Sequence, residues 1–179
     1  MREFIFYVLF LGLFFSCENS EEHIENFVDI NSLADEELKE TNIYYTENGN
    51  IKVKVSAKKM SRFSGKEDIV ELAGEVNFNF YRLDESNEKS VLTCERATIN
   101  NTSNIMIAEE KVVLIGKENK QLSTEQLIWD KNRDLIYTDL EVIITTEDEI
   151  ISGIGFQSTP DFSEYEIKKA KGSFNLAKD

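Results

Sequence analysis

From Ile43 onward, apolar and polar residues alternate with a period close to two. Ile51, Val53 and Val55 are separated by Lys52 and Lys54, Val76, Phe78 and Phe80 by Asn77 and Asn79, and Val142 and Ile144 flank Ile143. Successive side chains of a strand point to opposite faces, so this pattern predicts half-buried strands of an antiparallel sheet. Polar clusters mark the turns: Asn48-Gly49-Asn50, Asp84–Asn87, Asn100–Asn104, Lys117–Lys120, Asp130–Arg133 and Thr146–Glu149. Asn48-Gly49, between Ile43–Thr46 and Ile51–Ala57, is the strongest hairpin signal, because both residue types tolerate the left-handed backbone a two-residue turn needs. Ser32–Glu40 is compatible with a short helix capped by Ser32, and no long amphipathic helix is expected after Glu40.

The strands recur in pairs. First halves begin at Leu92, Leu122 and Ile151, 30 and 29 residues apart, and second halves are Ile105–Ile115, Leu135–Thr145 and Tyr165–Leu176. A looser copy, Ile51–Ala57 with Val70–Phe80, precedes them. A period of this size signals stacked supersecondary units that bury one continuous core and leave an edge at each end. The expected class is all-β: a sandwich, jelly roll or open barrel. Expected inward residues are Val53, Val55, Leu72, Val76, Phe78, Phe80, Ile99, Ile107, Leu114, Leu127, Trp129, Tyr137, Val142, Ile144, Phe156, Ile167 and Phe174. Such a face serves equally as core or as an apolar groove for a lipid, and aromatic residues suit both. The groove candidates are Val55, Val76, Phe78, Phe80, Ile99, Ile107, Leu127, Trp129, Tyr137, Val142, Ile144 and Phe156. Gly153 and Gly155 mark a strand bend or a close approach of backbone, and a bulky residue at Gly153 is expected to impair carriage more than folding.

Met1–Cys17 joins a positive Arg2 to a 12-residue apolar run, Phe4–Phe15, ending at Ser16-Cys17. The run is short for a membrane span of roughly 20 residues and fits a signal peptide. Ser16-Cys17 resembles a bacterial lipobox, which makes Cys17 a candidate lipid anchor; an uncleaved anchor helix is the other reading. Glu18–Glu40 carries nine acidic residues and one Lys, a self-repelling tether. The expected organisation is residues 1–17 as targeting segment or anchor, 18–41 as acidic tether and 42–179 as β domain.

The net charge of −14, without any Lys/Arg block, argues against nucleic acid, which demands clustered cations. Cys17 and Cys94 lack metal-ligand spacing and are not expected to form a disulfide; Cys94 reads as a small buried hydrophobe. The single histidine, His23, lies in the tether, so a His-based triad is not expected. Glu109-Glu110 and Glu147-Asp148-Glu149 fall at expected turns, and neighbours on a strand face opposite ways, so solvation explains them better than acid–base chemistry. Gly153-Ile154-Gly155 is too short for a dinucleotide loop. Neither an enzyme, a cofactor nor a metal is expected.

Leu122–Asp130 (LSTEQLIWD), Tyr137–Val142 (YTDLEV), Ile151–Phe156 (ISGIGF) and the closing Tyr165–Phe174 resemble the LptC family, the membrane-anchored bridge of lipopolysaccharide export. Leu72-Ala73-Gly74-Glu75-Val76 resembles its early G-x-V strand. The resemblance implies an open, twisted β-jelly roll on the periplasmic side of the inner membrane. It implies lipopolysaccharide as cargo, an LptB-LptF-LptG-type ABC transporter as donor and an LptA-like protein as acceptor. On that footing Ile43–Ala57 is expected to dock on the transporter's periplasmic β domains. The edge bearing Tyr165, Ile167, Phe174 and Leu176 is expected to pair with the acceptor, and a charge at Phe174 or Pro at Ser173 to break that pairing. The rival reading is a β-sandwich surface lipoprotein with a structural or carbohydrate-recognition role.

Overall fold

Each strand pairs with its neighbours in the chain, giving one nine-stranded antiparallel meander in sequential order. The computed structural model describes residues 33–81 and 89–175. Its strands are β1 (Glu36–Glu47), β2 (Asn50–Ser64), β3 (Asp68–Tyr81), β4 (Lys89–Asn100), β5 (Ile105–Ile115), β6 (Gln121–Asp130), β7 (Leu135–Thr145), β8 (Glu149–Ser158) and β9 (Tyr165–Asn175). The repeat read from the sequence becomes the hairpins β4–β5, β6–β7 and β8–β9, and the longer early copy becomes β2–β3. The all-β class is thereby established, and the only helical turn among the described residues is a 3-10 turn at Lys117–Asn119. At Asn48 and Gly49 φ is +50° and +81°, and Glu47 pairs directly with Asn50, which is the tight primed turn that sequence predicts.

One element is corrected. The stretch allowing a short helix over Ser32–Glu40 enters strand β1 at Glu36, within the segment assigned to the tether. A single isolated helical turn or two is marginal in water, whereas pairing with β2 from Glu36↔Arg62 onward satisfies the backbone. Cys17, the targeting segment, Ser32, Asp84–Asn87 and Leu176 lie outside the described residues.

The sheet is creased at mid-strand. Inward positions on the even strands jump by three residues, Ala57 to Met60, Cys94 to Ala97, Thr124 to Leu127 and Gly153 to Phe156, so their phase inverts there. On the facing odd strands the interval is four: Leu72 to Val76, Ala108 to Val112 and Thr138 to Val142. The ladders record the mismatch as register shifts between Ala73 and Val76, Glu109 and Val112, and Thr138 and Glu141. The odd strands absorb the extra residue as a bulge, with positive φ at Gly74 and Glu75 and at Glu110 and Lys111. Cross-strand ion pairs sit on the solvent side of this line: Lys58–Glu75, Arg96–Glu110 at 2.9 Å, Lys111–Glu95 at 3.1 Å and Lys168–Asp139 at 2.7 Å. Glu109-Glu110 therefore mark a bulge, not the expected turn.

Beyond the crease the two half-sheets face each other. The C-terminal halves of odd strands and N-terminal halves of even strands form one layer, and the remaining halves form the other. Contacts across the free ends confirm the closure: Phe80 of β3 meets Trp129 of β6, Lys52 of β2 pairs with Asp134 at 3.1 Å, and Ser90 of β4 donates to the Pro160 carbonyl at 2.5 Å. One apolar cluster runs between the layers from Val53 to Phe162.

Candidate functional site

Among the described residues the interior face is the only extensive apolar surface that the fold organises, and it extends from edge to edge. Val55, Val76, Phe78, Phe80, Ile99, Leu127, Trp129, Val142, Ile144 and Phe156 all lie buried in it. Two groove candidates do not. Ile107 and Tyr137 are half-buried on the opposite face, where each pairs with Ile128, while Met106, Ala108 and Ile136 point inward. Apolar residues occupy both faces here, and only the phase set by Trp129 and its partners Met106 and Ile136 decides between them. Sequence reasoning also missed Met60, Val70, Leu92, Leu122 and Val112, all buried. Their signal was present: the period of two holds on each side of the crease but not through it.

Among the described residues the interior around Trp129 is tightly filled. The cavity lined by Phe78, Leu92, Met106, Leu127 and Trp129, among others, measures about 10 Å³. That is at the lower limit for one water molecule and far below the several hundred Å³ of a typical ligand pocket. An acyl chain has no room there while the layers stay together.

The free ends of the layers form a seam with two contact groups. On the β1 side, Trp129 stands perpendicular to Phe80 at 5.0 Å and to Tyr45 at 6.3 Å between ring centres, and the Lys131 ammonium lies 4.5 Å from the Tyr45 centroid. On the β9 side, the β8–β9 loop inserts Phe162 against Phe156, with Lys120 4.4 Å above the Phe162 ring. Phe162 holds a positive φ of 55°, an unusual backbone for so bulky a residue, and sequence gave no sign of it. Between the two groups an open cavity of about 340 Å³ is lined by Lys52, Phe80, Tyr81, Asp134 and loop residues.

Burial dominates the electrostatics of the seam. It pushes the Tyr45 phenol up to about 12, with a further rise from Asp68. It lowers the pKa of Lys131, and that of Lys120 against the opposing pull of Glu118 and Asp161. For Lys52, burial is outweighed by hydrogen bonds and charge from Asp134 and Glu47, which raise its pKa.

Among the described residues the two sheet ends are open: β1 pairs with β2 alone and β9 with β8 alone. Leu38, opposite buried Met60, is 42% exposed, and Tyr165 is 37% exposed, so apolar side chains continue to the rims. Ile167 packs half-buried against the core, and Phe174 pairs with Ile150 at the end of β9. Gly153 lies at a register shift facing Ala170, and Gly155 has φ +77°. Among the described residues no group of His, Cys, Asp and Glu is arranged to hold a metal ion, and no helix is long and apolar enough to cross a membrane.

A family model described as lipopolysaccharide-assembly, LptC-related, matches residues 31–174, which span every strand of the sheet. No curated protein matches the chain.

Proposed function

Since the chain belongs to the LptC family of lipopolysaccharide-assembly proteins, we propose that it is the membrane-held periplasmic bridge that takes lipopolysaccharide from an inner-membrane LptB-LptF-LptG-type transporter and passes it to an LptA-like protein. The family's role in lipopolysaccharide transport is that of a bridge rather than an enzyme. The finer steps are our reading. Acyl chains travel between the two half-sheets while the sugar head stays in water. The β1 edge docks on the transporter, the β9 edge docks on the acceptor, and Cys17 or the apolar run before it holds the chain at the inner membrane. The observation that carries this reading is the pair of edges left open among the described residues, on one sheet whose apolar face runs from rim to rim. An unpaired edge accepts a further strand through backbone hydrogen bonds, so one groove is prolonged from protein to protein.

The test exploits the alternation of backbone groups in an edge strand. Successive residues of β9 direct their N–H groups alternately to β8 and to the open side. Proline removes the donor at its own position. Of the variants Lys168→Pro and Lys169→Pro, one is expected to lose thermal stability. The other is expected to keep its melting temperature and lose capture by an LptA-like protein. Undiminished capture by the variant that keeps its fold would contradict the assignment of the β9 edge.

A further inference from the structure

The indole of Trp129 is 5% exposed, and its Nε1–H has no hydrogen-bond partner. Buried donors are nearly always paired, because an unpaired one has given up its hydration for nothing. The perpendicular rings of Phe80 and Tyr45 beside it are at most weak π acceptors. In the β6–β7 turn, just beyond the end of the strand, Lys131 sits half-buried over Tyr45, and among the described residues no carboxylate pairs with it in a chain of net charge −14. Both side chains share the Tyr45 ring, so they form one cluster on the seam. Leu127, Trp129 and Lys131 thus run from the interior to the rim: hydrocarbon at 1% exposure, an unused N–H donor, then, in the turn, a cation held by a ring and by no carboxylate among the described residues.

We propose that Trp129 and Lys131 form a subsite for the junction of a phosphorylated, ester-acylated lipid. The chain runs inward past Leu127, the indole N–H donates to an ester or hydroxyl oxygen at the head of the chain, and the ammonium meets the adjacent phosphate. Phe80, which lies against Trp129 and also lines the open cavity of about 340 Å³, is the side chain that must swing away to admit the lipid. The partial dehydration that lowers the pKa of Lys131 sharpens its preference for a counter-anion. This subsite rests on the bridge reading, and it names the part of the cargo that the seam recognises. Lipopolysaccharide and phospholipid both place phosphate beside acyl esters, and we assign the subsite to the former.

Calorimetric titration of the full chain with diphosphoryl lipid A, dephosphorylated lipid A and phosphatidylglycerol vesicles tests the proposal. Trp129 is the single tryptophan, so its emission reports independently on the wild type. Trp129→Phe keeps an aromatic side chain, though a smaller one, and deletes the donor; about fivefold to tenfold weaker binding of both lipid A forms is expected. Lys131→Gln is expected to weaken diphosphoryl lipid A about tenfold and to leave the dephosphorylated form unchanged. Lipid A binding by both variants within twofold of wild type would overturn the subsite while leaving the bridge reading intact. A wild type that binds no lipid A would instead defeat the bridge reading itself. Phosphatidylglycerol bound as tightly as diphosphoryl lipid A, and lost in the same variants, would overturn the assignment to lipopolysaccharide.

Discussion

Gly153 and Gly155 lack side chains for different reasons. A Cβ on Gly153 would lie 2.3 Å from Ile167 Cγ2 and 2.8 Å from the Lys169 carbonyl, so β9 itself would have to move. On Gly155 it would meet only the flexible Lys168 side chain, but φ is +77°. Gly153→Ala is therefore expected to cost about 2 kcal/mol, as overpacking does, and Gly155→Ala about 1 kcal/mol from the left-handed backbone. Denaturant unfolding measures both. A bulky residue at Gly153 would press on β9, so it is expected to disturb folding as well as any carriage. Cys94 behaves as sequence suggests, 6% exposed with its thiol pushed up to about 12 by burial. Iodoacetamide at pH 8, read by peptide mass spectrometry, is expected to leave Cys94 unmodified in the folded chain and to label it on denaturation. A raised folded pKa favours the protonated native state. Cys94 thus contributes fully below its ordinary 9.0, and stability should fall as pH climbs from 9 towards 12. Tyr45 adds to that fall between its ordinary 10.0 and about 12.

At the scale of strands, the bulges are the feature that folds the sheet upon itself. Deleting Glu110 removes the surplus residue of β5, and with it the bulge and the Arg96–Glu110 pair, leaving the three-residue interval that the even strands already carry. If the bulges fold the sheet, circular dichroism should show a lower melting temperature for the deletion. An unchanged melt would mean that the crease does not need them. The bulges also explain what was legible beforehand. Strand existence, the Asn48-Gly49 hairpin and the repeat were all readable, because they rest on local alternation and turn chemistry. Ile107 and Tyr137 were misplaced because their neighbours Met106 and Ile136 are equally apolar, and local alternation offers no reference across a phase jump. Ser32–Glu40 was compatible with a short helix, but from Glu36 onward pairing with β2, a tertiary effect, overrides short-range propensity. Phe162 was invisible because a single aromatic in a polar loop carries no periodicity.

For the molecule as a whole, the proposed bridge role has to be reconciled with an interior filled around Trp129 and with two edges open among the described residues. Parting the layers exposes the continuous apolar face, and the discrete seam contacts, Phe80 with Trp129 and Lys52 with Asp134, are what must be released. An exposed ion pair such as Lys52–Asp134 contributes only about 0–1 kcal/mol, so the aromatic contact is the stronger clasp. The central claim is that cargo lies between the half-sheets and nowhere else. Photocrosslinking amino acids placed singly at Phe78 and Ile144, on the inner face, and at Ile107 and Tyr137, on the outer, test it most directly in cells exporting lipopolysaccharide. Lipopolysaccharide adducts at the two inner positions and none at the two outer ones are predicted; adducts at Ile107 or Tyr137 with none at Phe78 or Ile144 would contradict it.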